Sequence, residues 1–334
     1  MQVILPMAGI GKRMRPHTWS KPKPLLYLAG KTLLDHVLDR FRDVAIDELV
    51  LIIGWLGEQI REHVDAHYRI PVRYVWQEEL KGQAHAIYLA KEYLAGPCMI
   101  VWVDTVFDAD LRGVTQTEAD IVGYTMPVED PRRFGVAVQV GDRVVRLIEK
   151  PDTFEHREAV IGLYYLRDSA ALLDAIAYLM AQNIQTKGEF YLTDALQVMI
   201  DRGAHMIARR ATVWEDCGTP EAVLQTHRYL LDNGHARLPT VHSGAIIPPV
   251  HIAEGAIIEE ATVGPYVTLG EGARVAHAVV RDAIVEAGAV VEHSHIAHSL
   301  IGRHSVVRGA HGQLNIGDDD VIALGDLGAE KNMP

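Results

Sequence analysis

The chain has 334 residues, 49% of them hydrophobic, and a formal net charge of −12. That is enough apolar material for a core in more than one domain, and the acidic balance excludes non-specific nucleic-acid binding, which needs a basic surface. No apolar run approaches the ~20 residues of a membrane-spanning helix. The opening Met1-Gln2-Val3-Ile4-Leu5-Pro6 is too short and uncharged for a signal peptide and reads as a buried strand. The two cysteines, Cys98 and Cys217, form no CxxC pair; they point away from a disulfide framework or zinc site and toward a cytoplasmic protein.

In chain order, strands are expected at Gln2–Pro6, Leu49–Gly54, Val72–Trp76, Met99–Asp104 and Asp120–Pro127. Helices are expected at Leu33–Arg42, Glu58–His67 and Ala84–Leu94. This alternation argues for an α/β domain with a Rossmann-like mixed, mostly parallel sheet, whose ligands bind beyond the carboxyl ends of the strands. A hairpin follows, Val136–Val140 and Val144–Ile148 around a Gly141-Asp142 turn. Then come a strand at Val160–Leu166 and helices at Ser169–Gln182, Tyr191–Arg202 and Pro220–Asp232. Asn233–Pro239, with its Gly and Pro, marks a boundary, so the expected domains are 1–235 and 240–325.

Beyond the boundary, apolar residues recur every five or six positions, among them Ile246, Ile252, Ile258, Val263, Leu269, Val275, Val280 and Val285. Gly, Ala and Glu fill the gaps, as in Ala253-Glu254-Gly255-Ala256. These hexapeptide repeats predict a short left-handed parallel β-helix, with three units to a coil.

Six basic residues, Lys12, Arg13, Arg15, His17, Lys21 and Lys23, stand together with no acid among them. A basic island in an acidic chain suits a compact anion, although solvated basic loops are commoner. The loop Met7-Ala8-Gly9-Ile10-Gly11-Lys12-Arg13-Met14 follows the first strand. It is neither a Walker A loop nor a dinucleotide fingerprint, yet a Gly-x-Gly turn lets backbone N–H groups approach an anion. Prolines on both sides of Lys23 stiffen the next segment. The chain has nine lysines against 23 arginines, and Lys12, Lys21, Lys23 and Lys150 all fall in such segments, where a compact point charge suits phosphate.

With Ala8-Gly9-Ile10-Gly11-Lys12-Arg13-Met14 followed by Pro22-Lys23-Pro24-Leu25, the sequence resembles the sugar-1-phosphate nucleotidylyltransferases over essentially its whole length. The resemblance implies that Ala8, Gly9, Gly11, Lys12 and Arg13 bind the nucleotide, with Arg13 holding the triphosphate and Lys23 the transferred phosphate. Gln77 and Gly82-Gln83-Ala84-His85-Ala86 resemble the segment that reads the base; a glutamine amide both donates and accepts, as a uracil or thymine edge demands. Asp104 ends a strand, and Trp214-Glu215-Asp216-Cys217-Gly218-Thr219-Pro220 resembles the family's Trp-x-Asp-x-Gly-Thr-Pro. Asp104 and Asp216 would then be catalytic carboxylates holding Mg²⁺, which takes one or two protein oxygens beside phosphate and water. Asp216 can alternatively cap the helix at Pro220, a task Thr219 fits as well.

On the sugar side, Phe134-Gly135-Val136, Ile148-Glu149-Lys150-Pro151 and the Gly162 strand resemble the family's sugar-phosphate motifs. By that resemblance Glu149 accepts from sugar hydroxyls, Lys150 binds the phosphate, and Gly135 and Gly162 come close with backbone. Gly188–Asp194 matches a segment that is mostly structural. Two departures stand out: Val103 where glycine usually precedes the first metal aspartate, and Lys12 where Thr or Ser is usual.

The implied activity is nucleotidyl transfer from a nucleoside triphosphate, dTTP or UTP, to a sugar 1-phosphate, glucose 1-phosphate first, with release of pyrophosphate. Gly264-Pro265-Tyr266-Val267-Thr268-Leu269-Gly270 resembles the long-form glucose-1-phosphate thymidylyltransferases. Two alternatives remain. One is a bifunctional nucleotidyltransferase/acyltransferase, with His293, His295, His298, His304 and His311 as candidate bases, although histidines that simply point outward from coil edges are the stronger reading; the other is a non-catalytic regulatory subunit, which Val103 suggests. The repeats are expected to serve subunit contact or regulation, giving a homo-oligomer without membrane or nucleic-acid partners.

Overall fold

The computed structural model describes residues 1–238 and 243–324; Pro239 and the expected limits at 240 and 325 lie outside them. Internal packing divides the chain into two compact units, Met1–Ile10 with His36–Trp214 and Gly11–Asp35 with Glu215–Pro334. The division therefore does not run at 235–240. The stretch Gly11–Asp35 belongs with the C-terminal repeats, because Lys21 and His17 are buried there against Glu286 and Asn315.

The strands up to residue 216 are β1 (Gln2–Pro6), β2 (Tyr27–Leu28), β3 (Lys31–Thr32), β4 (Glu48–Ile53), β5 (Val72–Trp76), β6 (Cys98–Val101) and β7 (Thr105–Asp108). They continue with β8 (Ile121–Pro127), β9 (Gly135–Val140), β10 (Arg143–Glu149), β11 (Glu158–Leu166), β12 (Met206–Arg210) and β13 (Val213–Asp216). The helices are α1 (Leu33–Leu38), α2 (Gly57–His67), α3 (Gln83–Leu89), α4 (Ser169–Ala181), α5 (Leu192–Asp201) and α6 (Pro220–Leu230).

The first unit is built on a nine-stranded sheet in the order β5-β4-β1-β6-β11-β8-β12-β10-β9. It is mixed, as expected, but parallel pairing is confined to β5-β4-β1-β6 and to β8 with β12. Strand β11 runs antiparallel to both neighbours, and β10 does the same. Leu49–Ile53 are at most 1% exposed, which is why β4 reads as an unbroken apolar run and not as an alternation. Chain order reverses at β1, with β4 on one side and β6 on the other, so the crevice beyond its carboxyl end is the switch point where such sheets take ligands.

Helices α4 and α5 bury Leu172, Ala175, Ile176, Leu179 and Leu192, Ala195, Leu196, Met199, the spacing of one helical face. The Asp168 carboxylate accepts from the Ala170 amide at 2.9 Å and caps α4. The helix expected over Ala84–Leu94 closes at Leu89. From there, bonds from the amides of Ala90, Lys91 and Tyr93 reach only three residues back and tighten the chain into turns. Likewise, α1 stops at Leu38 and a 3₁₀ turn, Asp39–Phe41, completes the expected helix.

In the second unit, strands stack in parallel register. Val250 pairs with Val267, Val267 with Ala283 and Ala283 with Ser299. A second column runs Ile258, Val275, Val291, Val307, Ile322, and a third runs Val263, Val280, Ile296, Gly312. Three apolar positions five or six apart make one turn of chain, and the residues they bring inside, such as Val263, Val267, Val275 and Val280, are fully buried.

Turns in the stack use left-handed backbone, and these corners repeat in register. Glu260, His277 and His293 form one series, Tyr266, Asp282 and His298 another, and Gly272, Gly288 and His304 a third, all at φ between 44° and 66°. Asp and His tolerate this region better than most side chains. The rings of His277 and His293 consequently stack 4.9 Å apart at 7°.

Candidate active site

The glycine loop begins at the carboxyl end of β1, where the Met7 amide donates to Ile52 O at 2.8 Å. Ala8 is 5% exposed, while Gly9 is exposed with open space where a side chain would stand. In the second unit Gly11 has φ +63°. A Cβ there would lie 3.0 Å from Thr18 Cγ2 and 3.3 Å from Lys23 Cβ. Thr18 Oγ1 donates to Gly11 O at 2.9 Å. The bare glycine thus lets the loop fold onto the Lys23 segment, and Lys23 is half-buried while Lys12 and Arg13 are exposed.

The six-residue basic island separates into two sets. Lys12, Arg13 and Arg15 face outward, with Lys23 half-buried. Lys21 and His17 are 1% and 2% exposed and are paired inside the protein, so they do not belong to an anion-facing surface. Spacing alone did not separate the two kinds.

Asp216 closes β13, and its backbone oxygen accepts from Thr226 Oγ1 at 2.9 Å. Thr219, not Asp216, caps α6: its hydroxyl accepts from the Ala222 amide at 3.3 Å, with Pro220 at the first helical position. A Cβ on Gly218 would stand 2.9 Å from Asp216 Oδ1 and 3.0 Å from Arg13 Nη2. The missing side chain leaves the Asp216 carboxylate and the Arg13 guanidinium side by side, the first half-buried and the second exposed.

The first unit carries the other candidate residues. Gln77 is 6% exposed and directs its Nε2 toward Gly82 O and His85 Nδ1, both at 3.5 Å. Burial and the nearby Lys81 lower the His85 pKa, so the ring is neutral at neutral pH. Gly82, at φ +106°, precedes Gln83 at the start of α3, and a Cβ on it would fall 2.5 Å from Phe190 O. The Ala84 amide donates to that oxygen at 2.9 Å. The Gly188–Asp194 segment therefore shapes the Gln77–Gln83 loop.

The same segment holds the sugar-side residues. Glu149 Oε2 accepts from Thr193 Oγ1 at 2.7 Å. Burial raises the Glu149 pKa, against the opposing pull of that bond and of Lys150. Lys150, at φ +46°, donates to the Tyr191 hydroxyl, and its Nζ lies 3.9 Å from Glu149 Oε1. A Cβ on Gly135 would meet Thr193 Cγ2 at 2.7 Å and Glu149 Oε2 at 3.0 Å. Gly162, at φ +79°, lies against the Trp102 ring, 1.9 Å from where its Cβ would be. Tyr191 and Thr193 are partners that sequence reasoning passed over as structural; their signal was two polar tips two residues apart at the start of α5.

Asp104 follows β6 and is half-buried; Val103 beside it is 4% exposed, its side chain turned into the protein. Among the described residues no group of three or more His, Cys, Asp or Glu is placed to hold a metal ion. Mg²⁺ needs only one or two carboxylates beside substrate phosphates, and the half-buried Asp216 carboxylate beside Arg13 fits it. A groove of about 520 Å³ in the second unit, lined by residues including Tyr27, Arg237, His251, Glu286 and Arg303, contains none of the candidate residues.

His293, His295, His298, His304 and His311 are all exposed, and His293, His298 and His304 occupy left-handed corners. His298 Nδ1 pairs with the Asp282 carboxylate, which also binds Arg228. His293, His298 and His304 thus stand at corners whose left-handed backbone His tolerates better than most residues.

Comparison with known proteins agrees with the motifs. The chain is 31% identical to UTP--glucose-1-phosphate uridylyltransferase AglF of Haloferax volcanii, over 66% of this chain and 93% of that protein. It is 27% identical to glucose-1-phosphate thymidylyltransferase of Streptomyces griseus, over 93% and 94%. It is 29% identical to the bifunctional protein GlmU of Methanococcus maripaludis, over 79% of this chain, and spans 61% of that longer relative. The resemblance to sugar-1-phosphate nucleotidylyltransferases is borne out. The family model described as nucleotidyl transferase matches residues 2–233, and the chain belongs to that family.

Proposed function

We propose that the chain transfers a nucleotidyl group from a nucleoside triphosphate, dTTP or UTP, to a sugar 1-phosphate, glucose 1-phosphate first. The observation that carries this is the convergence of Arg13 Nη2 and the Asp216 carboxylate at the bare Gly218. A guanidinium beside a carboxylate suits a triphosphate that arrives with a divalent cation. The names of the uridylyltransferase and thymidylyltransferase relatives support a pyrimidine nucleotide and glucose 1-phosphate.

In the reaction, an oxygen of the sugar phosphate attacks the α-phosphorus in line. The bond from that phosphorus to the bridging oxygen breaks, and pyrophosphate leaves with the electron pair. No covalent enzyme intermediate is needed, so the protein's work is to bring two polyanions together and neutralise charge at the α-phosphate. Arg13 steadies the departing pyrophosphate, and Lys23 neutralises the transferred phosphate. The backbone of Ala8, Gly9 and Gly11 lines the triphosphate, with Lys12 beside it. Gln77, Gly82 and Gln83 hold the base. Lys150 binds the sugar phosphate, Glu149 accepts from sugar hydroxyls, and Gly135 and Gly162 allow close backbone approach. Asp104 and Asp216 would hold Mg²⁺, which supplies charge neutralisation between the phosphates when bound.

We read residues 1–235 as the segment that carries this chemistry, with Gly11–Asp35 packed among the repeats, and the repeats that follow as a left-handed β-helix serving subunit contact or regulation in a homo-oligomer. A second reading, a bifunctional enzyme, takes support from the name of the GlmU relatives; acetyl-CoA turnover tests it. The first reading is tested by a pyrophosphate-release screen of four nucleoside triphosphates against glucose, mannose, N-acetylglucosamine and heptose phosphates. Release is expected with dTTP or UTP and glucose 1-phosphate. No release with any pair sinks it in favour of a non-catalytic subunit.

A further inference from the structure

The segment bearing Arg13 and Lys23 is fastened to the last turns of the repeat stack. Lys21, two residues before Lys23, is 1% exposed. A lysine is almost never buried this completely unless its charge is paired. Here Nζ bonds to Glu286 Oε2 and lies 2.9 Å from Asp318 Oδ1. Arg303 completes the cluster: its amide donates to Asp318 Oδ1 at 2.8 Å, and its Nε stands 3.3 Å from Asp318 and 4.0 Å from Glu286. Two cations and two carboxylates leave it neutral.

Neighbouring contacts fasten the same stretch. Ser20 Oγ donates to Asp318 Oδ2 at 2.7 Å, and His17 Nε2 pairs with Asn315 Oδ1 at 2.6 Å. Pro16 packs against Gly317, 3.2 Å from where a Cβ would stand. Little slack separates this anchor from the phosphate-facing cations. Pro22 joins Lys21 to Lys23, Pro24 follows, and Lys23 Cβ and Thr18 both close on Gly11, two residues before Arg13.

We infer that Glu286 and Asp318 are positioning residues for nucleotide binding: through Lys21 they fix where Arg13 and Lys23 stand. The repeat stack is then part of the triphosphate-binding apparatus and more than a contact surface. This rests on the reading of Arg13 and Lys23 as phosphate ligands.

The test uses the full chain carrying Asp318→Asn, Glu286→Gln or Lys21→Met, with two readouts. In initial-rate kinetics the KM for the nucleoside triphosphate is expected to rise about tenfold or more, with the KM for sugar 1-phosphate within about twofold. In hydrogen exchange the amides of Met14, Leu25 and Leu26, bonded to Gly11, Pro22 and Lys23 oxygens, are expected to exchange about tenfold faster, and those of Val3–Leu5 are not. Unchanged exchange with unchanged nucleotide KM overturns the inference. So does an equal rise in both KM values, which marks general loss of structure. Should Lys21→Met not fold, Asp318→Asn and Asn315→Ala, each of which keeps the Lys21–Glu286 pair, carry the same readouts. If the wild-type chain releases pyrophosphate from no substrate pair, the proposed function fails while the exchange readout still decides the anchor.

Discussion

The ammonium of Lys150 donates to the Tyr191 hydroxyl and sits 4.3 Å from the centre of its ring. The lysine backbone is left-handed at φ +46°, an uncommon conformation for a side-chain-bearing residue and one a functional placement can justify. The phenol therefore aims the ammonium, and the two residues should act as a unit on sugar-phosphate binding.

Two variants separate their shares. Lys150→Ala removes a charge-assisted contact of about 1.5–3 kcal/mol, so the KM for sugar 1-phosphate should rise about 10- to 150-fold. Tyr191→Phe keeps the ring and loses only the hydroxyl, a rise of about 2- to 10-fold. Nucleotide KM should stay within about twofold in both. An unchanged sugar-phosphate KM in Lys150→Ala, from initial rates of pyrophosphate release, refutes the assignment.

Asp104 and Asp216 carry the metal reading. Asp104→Asn preserves shape and removes the charge, so turnover should fall by about 100-fold or more with the thermal midpoint little changed. Asp216→Asn should do the same, and chelation should abolish activity that added Mg²⁺ restores. Full turnover in Asp104→Asn sinks the metal assignment.

Much of this was readable from residues alone, and the reasons it stopped are local. β1, β4 and α2 were legible because their apolar spacing is set by burial within one element. The repeats were legible because each position returns at a fixed interval. Lys21 was not: beside Lys23 it looks like another phosphate ligand, and only contacts across most of the chain, to Glu286 and Asp318, reveal an anchor. The histidines were readable as outward-pointing residues at coil edges, and all five are exposed; the left-handed backbone that favours His at 293, 298 and 304 was not, because spacing carries no φ. β12 escaped because its end, Arg209-Arg210, is polar although the strand lies inside the sheet between β8 and β10.

Glycine positions test whether the sugar-side backbone is as crowded as it looks. In Gly162→Ala the new methyl would meet Trp102 Cδ1 at 1.9 Å on a backbone at φ +79°. Gly141, at φ +67° in the hairpin turn, has nothing within 4 Å. Gly141→Ala should therefore cost only the left-handed penalty of about 1–2 kcal/mol. Gly162→Ala should cost about 2–5 kcal/mol, since overpacking adds about 1–3 kcal/mol to that penalty. Denaturant melts of the two variants make the comparison, and equal losses would mean that Trp102 moves aside freely.

Glu149 should leave a mark on the pH dependence of stability. Burial raises its pKa above the ordinary 4.5 in the folded chain, with Thr193 and Lys150 only partly opposing. Below 4.5 the carboxyl is protonated folded or unfolded and contributes no pH dependence. As pH rises from 4.5 through the folded value, the unfolded chain releases the proton first, so ionisation favours unfolding. Glu149→Gln removes that term. The stability of the wild type relative to Glu149→Gln should therefore decline with rising pH across that window and level off above it. The measurement is a pair of denaturant melts at matched pH values. A difference that grows with pH would mean the Thr193 and Lys150 contacts outweigh burial. Glu149 would then be a stabilising anion, not one whose burial costs stability and whose use is in binding.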